Sequence, residues 1–156
     1  MEPLPHQLGR WPVTIELPVQ WGDMDALGHV NNVVYLRWFE SARMEYFARA
    51  GLWDRKDEGI GPILARQTID YRLPLEYPDS VRVACTVTKF GKTSIAMAMR
   101  LRSKLHDRAI AAEGEAILVM VAYQTGEKVP LTEELKRRIL LTEANAPEPG
   151  DSKADA

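Results

Sequence analysis

Trp21-Gly-Asp-Met-Asp25-Ala-Leu-Gly-His29-Val-Asn-Asn32-Val-Val-Tyr35 is the stretch on which the reading of this chain turns. Apolar residues alternate before it: Val13, Ile15, Leu17, Val19 and Trp21, with Thr14, Glu16 and Gln20 pointing the other way. That period of two predicts a half-buried strand. Pro18 has no N–H to give a ladder, which places the strand at a sheet edge. After the stretch the period changes. Tyr35, Trp38, Phe39, Ala42 and Tyr46 recur at three- and four-residue steps, while Arg37, Glu40, Ser41, Arg43, Glu45 and Arg49 fall largely off that stripe. This predicts a helix over 32–50, capped by Asn31 or Asn32 and stopped by Gly51. A strand therefore ends, a polar loop with two carboxylates and a histidine follows, and a helix begins.

Beyond Gly51 the chain reads as strands. Residues 62–73 form the first, closed by the Pro74-to-Pro78 segment, and 81–90 alternate up to a Gly91-Lys92 turn. Ile95, Met97, Met99 and Leu101 alternate against smaller or charged neighbours, and a second turn lies at Leu105-His-Asp-Arg. In the long strand 109–123, Ala112, Gly114 and Ala116 put small residues on one face, which lets a helix pack close. Thr132 caps a short helix to Leu141, with Glu133 and Glu134 in its first turn. Residues 1–12 read as an arm, 13–142 as one domain, and 143–156 as a disordered tail. One strand, one helix and four more strands predict a two-layer α+β domain, an antiparallel sheet of five strands carrying a helix on one face. The apolar residues expected on its second face invite a second copy of the chain.

Composition excludes several classes. The 156 residues suffice for one domain, and a chain of that size buries roughly 70% of its unfolded surface without a metal or disulfide. With 20 basic and 22 acidic residues the net charge is −2, so the basic excess of a nucleic-acid binder is missing. No run approaches the ~20 apolar residues of a membrane span. The single cysteine, Cys85, lies in an apolar strand register and reads as a small buried hydrophobe. One cysteine and no basic-apolar leader point to a cytoplasmic setting.

The loop suits acyl-transfer chemistry. A helix start offers unpaired N–H groups and a positive dipole end, which polarise a carbonyl placed there. A carboxylate nearby serves as nucleophile or general base. Asp25 is the candidate and Asp23 reads as structural. Asp23, Asp25 and His29 match no standard metal spacing, so no metal or other cofactor is expected. His6 and His106 read as surface residues. Glu40 and Arg43, three apart, read as an ion pair on the surface or facing a partner.

The segment resembles the hallmark of the 4-hydroxybenzoyl-CoA thioesterase-like branch of the hotdog superfamily. That pattern runs aromatic, Gly or Glu, Asp, any, Asp, any, any, Gly, His or Ile, Val, and then an Asn- or Tyr-rich helix start. Agreement continues at Tyr35, Phe39, Glu40, Arg43, Gly51-Leu, Tyr71, Pro74 and Tyr77-x-Asp79-x-Val81, so the likeness covers about residues 13–123. His29-Val-Asn-Asn-x-x-Tyr35 is also similar to plant acyl-ACP thioesterases, which carry asparagine where this chain has Leu27. The resemblance implies a hotdog fold, with one long central helix on a five-stranded sheet, and an acyl-CoA thioesterase. It makes Asp25 the catalytic carboxylate, as attacking group or base, and the Asn32 amide the oxyanion donor, with His29 in support. Lys89 and Lys92 match a basic turn that receives the nucleotide, and Tyr35 shapes a wall of the acyl pocket. The resemblance also implies a homodimer or homotetramer with the pocket between subunits, where strand 63–68 of the partner, and Gln67 within it, line the acyl site. Two other readings stay open. One is a dehydratase of the same fold, whose histidine-glycine-proline signature is missing here. The other is a non-catalytic acyl-CoA-binding regulator.

Overall fold

A computed structural model describes residues 2–4, 10–52 and 58–146; His6 and residues 147–156 of the expected tail lie outside them. The elements run β1 (Glu2–Pro3), β2 (Val13–Pro18), α1 (Asn32–Ala50), β3 (Ile60–Tyr71), β4 (Ser80–Phe90), β5 (Ser94–Ser103), β6 (Ile110–Ala122) and α2 (Glu133–Ala144). All strand pairs are antiparallel, in the path β1-β4-β5-β6-β3. β2 shares the β1 edge of β4: it pairs with Ser80 to Cys85, while β1 pairs with Lys89 and Phe90. Two short strands thus occupy one rank, and the sheet is five ranks wide.

Local chemistry sets the helix ends. Asn31 is the cap of α1, its side chain accepting from the Val33 N–H, and Gly51 closes it at φ 68°, the left-handed region glycine tolerates. Phe39, Ala42 and Tyr46 on α1 are fully buried against Val81, Val83, Cys85 and Val87 of β4 and Met97 and Met99 of β5. The small stripe of β6 does what its residue sizes allow. Ala112 and Ala116 are fully buried, and a β-carbon on Gly114 would stand 3.2 Å from the Phe39 ring and collide with the Thr68 carbonyl oxygen.

Three expectations need correction. The helical layer holds two helices, since α2 packs beside α1. The tail does not begin at Glu143, because α2 runs to Ala144 and the Glu143 carboxylate takes three hydrogen bonds: from the Tyr46 hydroxyl at 2.6 Å, the Thr86 hydroxyl at 2.7 Å and the Val87 N–H at 2.7 Å. That N–H falls in the gap between β2 and β1 on the β4 edge, where no strand supplies an acceptor. Within the expected arm, Glu2 and Pro3 pair with Phe90 and Lys89 of β4. Finally, the second sheet face is mixed rather than uniformly apolar, with Ala96, Ala98, Ile117 and Val119 on it beside charged residues. Arg82, Arg100, Arg102, Glu113 and Glu115 lie on it, Arg100 pairs with Glu113 at 2.9 Å, and its guanidinium stands 5.0 Å from the Trp11 ring. Exposed apolar side chains gather around the start of α1, at Trp21, Leu27, Val33, Leu36, Tyr71 and Tyr77, and on β3, at Leu64 and at Ile63, which pairs with Val119 and so shares the second face.

Candidate active site

The loop between β2 and α1 is closed upon itself. Met24 and Val30 form a β-bridge, the Asp25 N–H donates to the His29 carbonyl at 2.9 Å, and the Gly28 N–H donates to the Asp25 carbonyl at 3.0 Å. Gly28 makes the turn at φ 82°. The Val30 N–H donates to the Leu75 carbonyl at 2.8 Å, fastening the loop to the segment before β4.

Asp23 anchors this arrangement from below. It is buried at 5% exposure, and its carboxylate takes Arg37 Nη2 at 2.6 Å and the Gln20 N–H at 2.9 Å. Its carbonyl accepts the Asn31 N–H at 2.9 Å, setting the helix cap in place. The structural reading of Asp23 holds. Asp25 is exposed. Its Oδ1 accepts the Leu27 N–H at 2.8 Å, which fixes the side chain, and its Oδ2 has no partner among the described residues. One oxygen is held by the loop and the other faces solvent.

The amides at the start of α1 are used unequally. Val33 donates to Asn31 Oδ1 at 3.0 Å and Val34 to the Asn31 carbonyl at 2.9 Å. Asn32, the first residue of the helix, has no intrahelical acceptor for its N–H by the geometry of a helix start. Its carbonyl accepts the Tyr71 hydroxyl at 3.4 Å. The Tyr71 ring meets Tyr35 edge-on at 5.1 Å, and Tyr35 packs on Trp38 at 5.5 Å. Tyr35 is 3% exposed, and burial pushes its hydroxyl pKa up to about 12 against a hydrogen bond from the Leu75 backbone. It forms the floor behind the helix start.

His29 is exposed, with Nε2 3.4 Å from Glu76 Oε1. No spacing in the chain signals Glu76, which the 72–79 loop brings across. Asp23, Asp25 and His29 have three separate sets of partners and do not converge. His106, in the second turn, is exposed, and its Nδ1 lies 2.9 Å from the Ser103 hydroxyl. A hollow of about 280 Å³ between β2 and α1, lined by Leu17, Pro18, Arg37, Trp38 and Ser41 among others, contains none of Asp25, His29 or Asn32.

The remaining candidates are dispersed within one chain. Lys89 and Lys92 are exposed at the β4–β5 turn, while the loop sits at the Ser80 end of β4. Eleven strand residues separate the two ends, about 33 Å. Gln67 lies beneath the middle of α1, where its Oε1 accepts Arg43 Nη1 at 2.9 Å. Arg43 is therefore not the surface partner of Glu40. It is 4% exposed, because the small residues of β6 leave room beneath the helix, and burial lowers its pKa below the ordinary arginine value.

Sheet, helices and loop define a hotdog-fold protein with an acid-bearing loop at a helix start. The sequence profile of the thioesterase-like superfamily matches residues 19–139, and the chain belongs to that family, which classes it with the thioester hydrolases. It is 26% identical over 119 residues to the acyl-CoA thioester hydrolase YbgC of Escherichia coli O157:H7, covering 73% of this chain and 82% of that one. A thioesterase from Thermus thermophilus, solved in complex with coenzyme A and Zn, superposes with a TM-score of 0.76 at 31% identity, covering 88% of this chain and 98% of that one. The DHNA-CoA thioesterase of Staphylococcus aureus superposes at 0.76 with 20% identity over 85% and 91% of the two chains, a likeness of fold.

Proposed function

We propose that this chain hydrolyses an acyl-CoA thioester to a free acid and coenzyme A. The observation that carries the proposal is the pairing of a half-free Asp25 carboxylate with the open Asn32 amide, on one short loop and the helix it leads into. The thioester carbonyl lies toward the Asn32 N–H, which stabilises the oxyanion; a donor of this kind is worth about 3–4 kcal/mol. Asp25 Oδ2 attacks the carbonyl carbon or takes a proton from the water that does. Where Asp25 attacks, collapse breaks the carbon–sulfur bond, expels the thiolate and leaves an acyl anhydride on Asp25, which water then hydrolyses to the acid and the free carboxylate. Where Asp25 takes the proton of water, collapse gives the acid directly and that proton passes to the departing sulfur. His29, held by Glu76, positions water or substrate.

The separation of Lys89 and Lys92 from Asp25 favours a site shared between two copies, as a homodimer or homotetramer. In that arrangement the lysines of one copy reach the phosphates of the coenzyme bound at the other, and Gln67 and Tyr35 border the acyl group. The single cysteine supports a cytoplasmic setting. Thiol release from a panel of aromatic and aliphatic acyl-CoAs tests the reading. Asp25→Asn is expected to lose at least about 10²-fold in rate while still binding coenzyme A. Equal rates in the two proteins would remove Asp25 from the mechanism.

A further inference from the structure

Arg43 is a buried cation without an anion. Among the described residues its guanidinium donates only to Gln67 Oε1, at 2.9 Å, and to Met99 Sδ, at 3.6 Å. Glu40 acts on it only through space, as an exposed carboxylate with no ion pair to it. Gln67 Nε2 is buried and has no partner. A guanidinium taken out of water is costly unless an anion meets it, and a buried amide donor left unpaired adds to that cost. The donors are also fixed: Gln67 must turn its oxygen to Arg43, so its N–H groups face elsewhere.

Two independent rulers locate this pair relative to the Asn32 amide. Arg43 is eleven residues along α1, about 16 Å at the helical rise, and its side chain leans back toward the helix start. Gln67 is four residues from Tyr71, whose hydroxyl touches the Asn32 carbonyl, hence about 13 Å along β3. Both place the pair roughly 10–13 Å from the helix tip. Val33, Leu36, Glu40 and Arg43 share one face of α1, and Val33 and Leu36 are exposed apolar residues between the tip and the pair.

We infer that Arg43 and Gln67 receive an acidic group at the far end of the acyl chain, so that the preferred substrates are ω-carboxyacyl thioesters. This rests on the hydrolase reading above and narrows it. Less the hydrogen bonds of about 2.9 Å at its ends, the distance fits a chain of roughly five to eight carbons, each zigzag bond advancing about 1.25 Å. Val33 and Leu36 cover the methylenes, Arg43 pairs with the carboxylate, and Gln67 Nε2 supplies the neighbouring donor.

The test compares adipoyl- and suberoyl-CoA with hexanoyl- and octanoyl-CoA, reading thiol release. Wild type should favour the acidic member of each pair, and Arg43→Gln and Gln67→Glu should reduce that ratio of kcat/KM by roughly ten- to a hundred-fold. Glu40→Gln, which removes the competing charge, should raise it. Because Arg43→Gln risks misfolding, Gln67→Glu is the decisive variant: it keeps the shape and reverses the preference by charge. Neutral chains hydrolysed as well as acidic ones by wild type, or an unchanged ratio in Gln67→Glu, overturns the inference while leaving the hydrolase intact. Turnover of no acyl-CoA at all sinks the hydrolase reading and this one with it.

Discussion

At the scale of single residues, the loop works by division of labour. Asp23 is committed to structure, with its oxygens facing Arg37 and the Gln20 N–H, so Asp25 is the carboxylate left exposed. Asn31 occupies the Val33 and Val34 amides, so Asn32 keeps the open one. Asn31→Ala should cost about 1 kcal/mol in thermal or urea unfolding. It should also slow thiol release, because the freed Val33 amide no longer holds the helix start in register. Cys85 illustrates the opposite case. Burial drives its thiol pKa upward, and its Sγ sits 3.3 Å from the Ala42 carbonyl. The native protein should therefore leave a thiol reagent such as DTNB unreacted at neutral pH, and react once unfolded in guanidinium; rapid native labelling would contradict the burial.

At the scale of elements, two contacts hold the helical layer to the sheet. Gly114 lets Phe39 and β3 approach β6 together. Gly114→Ala puts a methyl against the Thr68 backbone oxygen, which cannot yield without moving β3, and should destabilise by about 1–3 kcal/mol. Glu143 ties α2 to α1 and to the open stretch of the β4 edge. Glu143→Ala strands the Val87 N–H and two hydroxyls and should cost about 1–3 kcal/mol, more than Tyr46→Phe, which removes one donor. Equal effects of the two changes would show that the Val87 and Thr86 bonds contribute nothing. The stripe of β6 was legible in the sequence because three small residues at period two have few other uses. Glu143 was not, because an acid near the end of a short helix reads as solvated until a sheet edge with a missing strand is placed beside it.

At the scale of the whole molecule, one chain has Asp25 and the Asn32 amide at one end of β4 and Lys89 and Lys92 at the other. The second sheet face is charged around Arg82, Arg100 and Arg102 and apolar around Ile63, Ile117 and Val119, so only its β3 side suits an assembly. The exposed apolar residues lie around the start of α1 and on β3, the outermost strand, whose far edge has no neighbour among the described residues. Sedimentation equilibrium should find a dimer or larger at micromolar concentration, and Leu64→Lys should weaken it by charging that edge. A monomeric wild type that still hydrolyses acyl-CoA would end the shared-site arrangement.

What the sequence determined by itself was everything written in short-range periodicity: the strand from Val13, the helix from Asn32 to Ala50 with its Gly51 stop, and the four later strands. Steric and hydrogen-bonding preferences act within a few residues there, so neighbours in the chain suffice to read them. Only the tertiary structure decided that Arg43 is buried on Gln67, that Glu76 reaches His29, that Glu143 closes a sheet edge, and that Lys89 lies far from Asp25. Those outcomes depend on which strands become neighbours, on the bulges at Leu64/Arg66 and Val87/Lys89, and on the room left by small side chains on β6. Such meetings join residues dozens of positions apart, and no local pattern encodes them.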